Sequence, residues 1–197
     1  MAEYELLCTG IGGQGVQLAA QVVARAATRE GREVMFFGIY GGMMRGGNTD
    51  STVVVADSPI TAPPVVARTW SAIAMHDEFW SPIEPKLRPG GLVLVNDSTF
   101  TASIATAVAA SLTVVRLPAT ELAAEAGNPM GGTMVMIGAY SALTGLVTLD
   151  ALVEGMREAI PSYRRQHVEA NERALHAGFA AAPTDVGAPR AWEGALA

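Results

Sequence analysis

Six residues near the amino terminus restrict the fold most tightly. Gly10-Ile11-Gly12-Gly13-Gln14-Gly15 follows the apolar run Tyr4–Thr9 and precedes Val16–Glu30. In that second segment Val16, Ala19, Ala20, Val23 and Ala27 fall on one helical face, and Gly31 ends the helix. A strand, a glycine turn and a helix in this order open a βαβ unit, and the G-x-G-x-x-G spacing fits that setting. Glycines let the backbone turn tightly and lie close to a ligand or a neighbouring chain. The free N–H groups at the helix start favour an anion such as a phosphate.

The dinucleotide fingerprint also needs an acid about 20 residues further on, at the end of the second strand. Here that strand ends Met35-Phe36-Phe37-Gly38 without a carboxylate, and Glu33 stands at its beginning. NAD or FAD is therefore the least favoured occupant. A structural or packing turn and a seat for a phosphate-bearing ligand such as coenzyme A both stay open.

The pattern of strands and helices continues along the chain. Glu33–Phe37, Ser51–Ala56, Ser71–Met75, Leu92–Val95 and Thr113–Leu117 read as further strands. Helices are expected at Asp77–Leu87, interrupted near Pro82 and Pro85, and at Ala102–Ala110, Ala119–Ala126, Thr133–Leu143, Leu149–Ile160 and Arg164–Ala181. Gly38–Asn48 reads as a loop, and Arg88-Pro89-Gly90-Gly91 as a turn. Wholly apolar strands such as Val53–Val55 and Leu92–Val95 suit a sheet buried on both faces. The expected fold is α/β: a Rossmann-like, doubly wound, mostly parallel sheet with helices on both faces and a C-terminal helical segment. Residues 1–182 form one expected domain of this kind, and residues 183–197 a turn-rich tail ordered by a partner or not at all. Trp192, an isolated aromatic in that tail, is expected to dock on a partner chain.

Composition narrows the function. The 197 residues are 50% hydrophobic and 16% charged, with net charge −6 and no Lys/Arg cluster, which argues against nucleic acid. Cys8 is the one cysteine, so this chain cannot hold an iron–sulfur cluster or a disulfide alone, and a reducing cytoplasm suits it. Inside the first apolar strand it reads as an inert core thiol. The acidic start Met1–Glu5 carries no export signal. Asn128–Leu149 is uncharged, yet its glycines and Pro129 favour a buried helix and turn over a membrane span. His76, His167 and His176 lack metal-ligand spacing, and no Gly-x-Ser-x-Gly elbow is present. His76-Asp77-Glu78 and Asn96-Asp97-Ser98 end strands, where ligands or simple caps are both expected.

The second loop, Gly38-Ile39-Tyr40-Gly41-Gly42-Met43-Met44-Arg45-Gly46-Gly47-Asn48, is the most unusual stretch. Small residues admit another backbone, methionines adapt to irregular partners, and Arg45 is a forked donor for a carboxylate, phosphate or carbonyl. Gly12-Gly13-Gln14-Gly15-Val16 with Met44-Arg45-Gly46-Gly47 resembles the gamma subunit of 2-oxoacid:ferredoxin oxidoreductases, in the 2-oxoglutarate and pyruvate branches. The likeness continues through Thr52–Ile60, Lys86–Gly91, Pro118–Glu121, Gly127-Asn128-Pro129 and Glu169–Leu175, covering about residues 4 to 180.

The resemblance implies a non-catalytic subunit that packs on chains holding thiamine diphosphate, Mg2+ and iron–sulfur clusters. Those chains oxidatively decarboxylate a 2-oxoacid, yield an acyl-coenzyme A and pass electrons to ferredoxin or another acceptor. It implies no cofactor bound by this chain alone. Gly12, Gly13, Gln14, Gly15, Tyr40, Met44, Arg45, Gly46, Gly47 and Asn48 become the candidate residues at the partner interface and the coenzyme A entrance. Thr133 stands where the family often has Asn, and His76 where an amide is common. A free-standing dinucleotide-binding dehydrogenase and an acyl-coenzyme A-binding regulatory module are the competing readings.

Overall fold

The computed structural model describes residues 2–40, 46–61 and 66–192, apart from the Tyr40 side chain. Six strands, β1 (Glu3–Ile11), β2 (Glu33–Tyr40), β3 (Asn48–Ala56), β4 (Thr69–Ala74), β5 (Leu87–Asn96) and β6 (Thr113–Leu117), form one sheet in the order β2-β3-β1-β4-β5-β6. β1, β4, β5 and β6 run parallel, whereas β3 is antiparallel to both neighbours. The expected mostly parallel α/β sheet is thus present, with one reversed strand. β2 and β3 form a hairpin whose tip lies at the carboxyl edge of β1.

Alternation along the strands sends side chains to two separate cores. Leu6, Cys8, Ile73, Leu92 and Leu94 join the first, with α1 (Val16–Arg29), α4 (Gly132–Thr144), α5 (Leu149–Ala159) and α6 (Val168–Ala181). Leu7, Ala72, Ala74, Val93 and Val95 face the other way, against Trp80, Ile83 and Phe100. Each face carries a cover, but the second is mostly irregular chain, and its core draws no residue from β2 or β3 among the described residues. Between β4 and β5 the expected helix Asp77–Leu87 is replaced by turns and a single 3-10 turn at Glu84–Lys86. Pro82 and Pro85 remove helical donors. The expected helix Ala102–Ala110 shrinks to α2 (Thr106–Ala109).

Two further boundaries move for physical reasons. Arg88–Gly91 belongs to β5, with a register shift between Thr69 and Ser71 on the neighbouring strand. Gly90 adopts φ +79°, and a Cβ on Gly91 would lie 2.5 Å from the Trp70 carbonyl oxygen, so glycines here let a strand bend instead of reversing the chain. The stretch expected as helix from Arg164 starts as 3-10 turns at Ser162–His167 and becomes α6 at Val168. α3 (Ala119–Glu125) matches its expected place.

The uncharged segment is the centre of the helical layer. α4 is buried along nearly its whole length, and no helix of the described residues is long and apolar enough to cross a membrane. It packs on α6 with almost no gap between backbones. A Cβ on Gly178 would sit 1.9 Å from the Val135 carbonyl oxygen, and one on Gly138 would sit 2.1 Å from that of Leu175. Tyr140 is fully buried with its hydroxyl 2.8 Å from Ser71 Oγ, which ties α4 to β4.

The tail is described as far as Trp192. Ala188, Ala191 and Trp192 pack on the first core, residues 184–187 are exposed, and 193–197 lie outside the described residues. Ala191 N–H donates to the Thr144 carbonyl at 2.7 Å. Trp192 Nε1 donates to the Leu146 carbonyl at 3.1 Å, its ring meets Tyr4 edge-on at 4.8 Å, and the Arg32 guanidinium lies 3.7 Å from its centre. The indole thus has apolar, cationic and hydrogen-bonding contacts within the same chain.

Two substitutions test this packing. Gly178→Ala should cost about 3 kcal/mol by forcing α4 and α6 apart, seen as a fall in Tm of about 6–12 °C. Trp192→Ala should cost about 2 kcal/mol, from the lost edge-on pair, cation–π contact and indole hydrogen bond, measured by urea denaturation.

Candidate functional site

The carboxyl ends of β1 and β4 flank the point where the chain changes sides of the sheet, where open α/β folds bind ligands. The glycine turn after β1 occupies this point, and Gln14 holds it. Its Oε1 accepts from Ile11 N–H at 2.9 Å, its Nε2 donates to the Met75 carbonyl at 3.2 Å, and its own carbonyl accepts from Thr133 Oγ1 at 3.1 Å. The carboxamide thereby links β1 to the end of β4, and the backbone carbonyl of the same residue holds the start of α4. The turn can be this tight only with small residues. A Cβ on Gly10 would meet Gln14 Oε1 at 2.6 Å, and Gly13 and Gly15 hold φ +109° and +80°.

The second glycine loop meets the first through backbone alone. Gly12 N–H donates to the Gly47 carbonyl at 2.8 Å, and Gly46 N–H donates to the Gly12 carbonyl at 3.2 Å. Asn48 opens β3 opposite Ile11, and its Nδ2 donates to Asp50 at 2.9 Å. The structure therefore brings Gly12, Gly13, Gln14, Gly15, Gly46, Gly47 and Asn48 to one edge. Tyr40 ends β2 opposite Thr49, with its side chain outside the described residues, as are Met44 and Arg45.

Beside this edge a cavity of about 550 Å³ opens at the start of α1, with Gly13, Gly15, Gln17, Arg164, His167 and Asn171 in its wall. Arg164 and His167 were missed in the sequence, since they lie far along the chain and no local motif marks them. The turn before α6 carries them to the helix start, so that the Arg164 guanidinium adds positive charge where the α1 amides already favour an anion. Gln17 of this wall has a buried Nε2 without a hydrogen-bond partner, as do Asn48 Oδ1, Thr49 Oγ1 and Ser51 Oγ on β3. Ser51 pairs with Gly38 and Thr49 with Tyr40, so all border the β2–β3 tip. Buried polar groups of this kind call for a partner group or water.

The other strand ends are structural. Asn96 is fully buried; its Nδ2 reaches Thr99 and Thr120, and its Oδ1 accepts from Ala119 N–H at 3.1 Å. Asp77 does not cap a helix of its own but accepts from the Thr101 hydroxyl and from the Thr101 and Ala102 N–H groups. The Thr101 hydroxyl, more than any other contact, holds its carboxyl below the usual range. His76 Nδ1 accepts from Glu78 N–H at 3.1 Å. No group of three His, Cys, Asp or Glu suited to a metal occurs among the described residues. Cys8 sits inside β1, and burial pushes its thiol up to about 12.

Residues 5–181 match the profile of the pyruvate ferredoxin/flavodoxin oxidoreductase family over most of the chain. The chain belongs to that family. The motif resemblance is thereby borne out. Within the family, the chain is 32% identical over 160 residues to the 2-oxoglutarate synthase subunit KorC of Methanothermobacter thermautotrophicus, covering 80% of this chain and 85% of KorC. It is also 32% identical over 179 residues to the ketoisovalerate oxidoreductase subunit VorA of the same organism, covering 89% of this chain but 36% of VorA. The crystal structure of the keto/oxoacid ferredoxin oxidoreductase gamma subunit from Geobacter sulfurreducens superposes with TM-score 0.78 at 26% identity, over 91% of this chain and 96% of that one. These relatives are subunits of 2-oxoacid oxidoreductases, and the α/β sheet with its C-terminal helix is common to the gamma-subunit structure.

The Cys8 environment gives a direct check. With its thiol pushed up to about 12, essentially none is thiolate at pH 8, and the reactive form is absent as well as inaccessible. A disulfide-exchange reagent at pH 8 should leave the native protein unlabelled and label one thiol per chain in denaturant.

Proposed function

We propose that this chain is the non-catalytic gamma subunit of a cytoplasmic, thiamine-diphosphate- and iron–sulfur-dependent 2-oxoacid:acceptor oxidoreductase. It packs on the chains that hold thiamine diphosphate, Mg2+ and the clusters. Those chains convert a 2-oxoacid to an acyl-coenzyme A and deliver electrons to ferredoxin or another acceptor. Gly12–Gly15 and Tyr40–Asn48, with Met44 and Arg45 among them, border the coenzyme A entrance.

The observation that carries this reading is the meeting of two glycine turns beside a cavity walled by Arg164 and His167. A diphosphate is an anion, and here backbone N–H groups at a helix start and a guanidinium converge on one opening. The unpartnered Gln17, Thr49 and Ser51 atoms nearby are suited to the polar groups of such a ligand or of a partner chain. The single buried thiol fits a division of labour in which redox chemistry resides on other chains.

The test is the intact complex. The tagged chain should purify with larger chains that carry thiamine diphosphate and iron. Arg45→Ala should then lower assembly or raise the KM for coenzyme A on the order of tenfold, as expected when one charge-assisted contact to a phosphate is lost. A chain that purifies alone would refute the subunit role. Unchanged assembly together with unchanged coenzyme A kinetics would refute the role of Arg45.

A further inference from the structure

The second face of the sheet is covered over only part of its width. Leu7 of β1, Thr52 of β3 and Phe37 of β2 form one row across three strands. Leu7 is buried in the second core, yet no residue of that core comes from β2 or β3 among the described residues. On the same face of β2, Phe37 is 40% and Ile39 47% exposed, while Val34 and Phe36 on the opposite face pack on the first core. β2 is also an edge strand. An aromatic and an aliphatic side chain both partly open to solvent on an edge strand are what a monomer avoids, because such edges recruit other chains.

The relatives differ in the length of polypeptide that accompanies this unit. KorC matches this chain over 85% of its length, whereas in VorA of the same organism the matched part is 36% of a longer polypeptide. The same unit thus occurs both alone and continuous with other polypeptide. Where it is continuous, its neighbour is held by the covalent chain. Where it stands alone, a surface must hold that neighbour. We infer that the β2 face centred on Phe37 and Ile39 seats the partner polypeptide corresponding to the remainder of the VorA-type chain, through apolar side chains laid over these two. This assignment rests on the proposed subunit role. The patch adjoins the β2–β3 tip, so the docked partner also reaches the paired glycine turns.

The tagged wild-type chain and the pair Phe37→Asp with Ile39→Asp are purified from the native host. Partner protein, thiamine and iron are measured per tagged chain after size exclusion. Wild type should elute in the complex. The Asp pair should lose partner on the order of tenfold or more, as for removal of a central interface anchor, while the isolated chain melts as wild type does. Should the Asp pair unfold the chain, Phe37→Ser with Ile39→Ser, read the same way, decides. Partner retained at the wild-type ratio by a folded variant overturns this assignment and leaves the subunit role standing. An isolated wild-type dimer that the substitutions split into monomers also overturns it, since a second copy would then be the occupant. A wild-type chain eluting alone refutes the subunit role itself.

Discussion

Two backbone hydrogen bonds between Gly12 and the Gly46-Gly47 pair hold the candidate site together. They join a turn that starts a helix to a hairpin tip, with no side chain between them. Gln14 secures the same turn from the other side by closing it on itself and on the end of β4. Each bond is of ordinary strength, about 1 kcal/mol net, but together they fix the direction of the α1 amides relative to the β2–β3 loop. A side chain at Gly10 would press on Gln14 Oε1 at 2.6 Å and on Met75 Cβ at 2.9 Å, displacing the carboxamide that closes the turn.

The sheet was legible in the sequence because its apolar runs are short, β-branched and bounded by glycine, proline or Asx. Val53–Val55, Leu92–Val95 and Thr113–Leu117 lie where that pattern placed them. What the pattern could not supply was direction. The reversal of β3 depends on the loop length after Tyr40 and on pairing with both β1 and β2, a matter of tertiary contact. The second cover was misread for a different reason. Asp77–Leu87 and Ala102–Ala110 have helical composition, but Pro82 and Pro85 break the first. The second yields most of its length to a strap pinned by Asp77 and Glu84.

The site was half legible. Its glycines announce themselves, because positive φ and close approach leave no substitute. Arg164 and His167 carry no such mark: basic residues in a segment between helices are indistinguishable from a solvated surface until the fold sets them beside Gly13 and Gly15. Trp192 shows what a sequence pattern leaves open. An aromatic among polar residues signals a docking event, and a docking event occurs, but on Tyr4 and Arg32 of the same chain.

That last contact has an architectural consequence. Tyr4 lies at the entry to the sheet and Trp192 beyond the final helix, yet their rings touch at 4.8 Å. A unit whose way in and way out coincide can be spliced into a larger polypeptide, or released from one, without any strand having to change its neighbours.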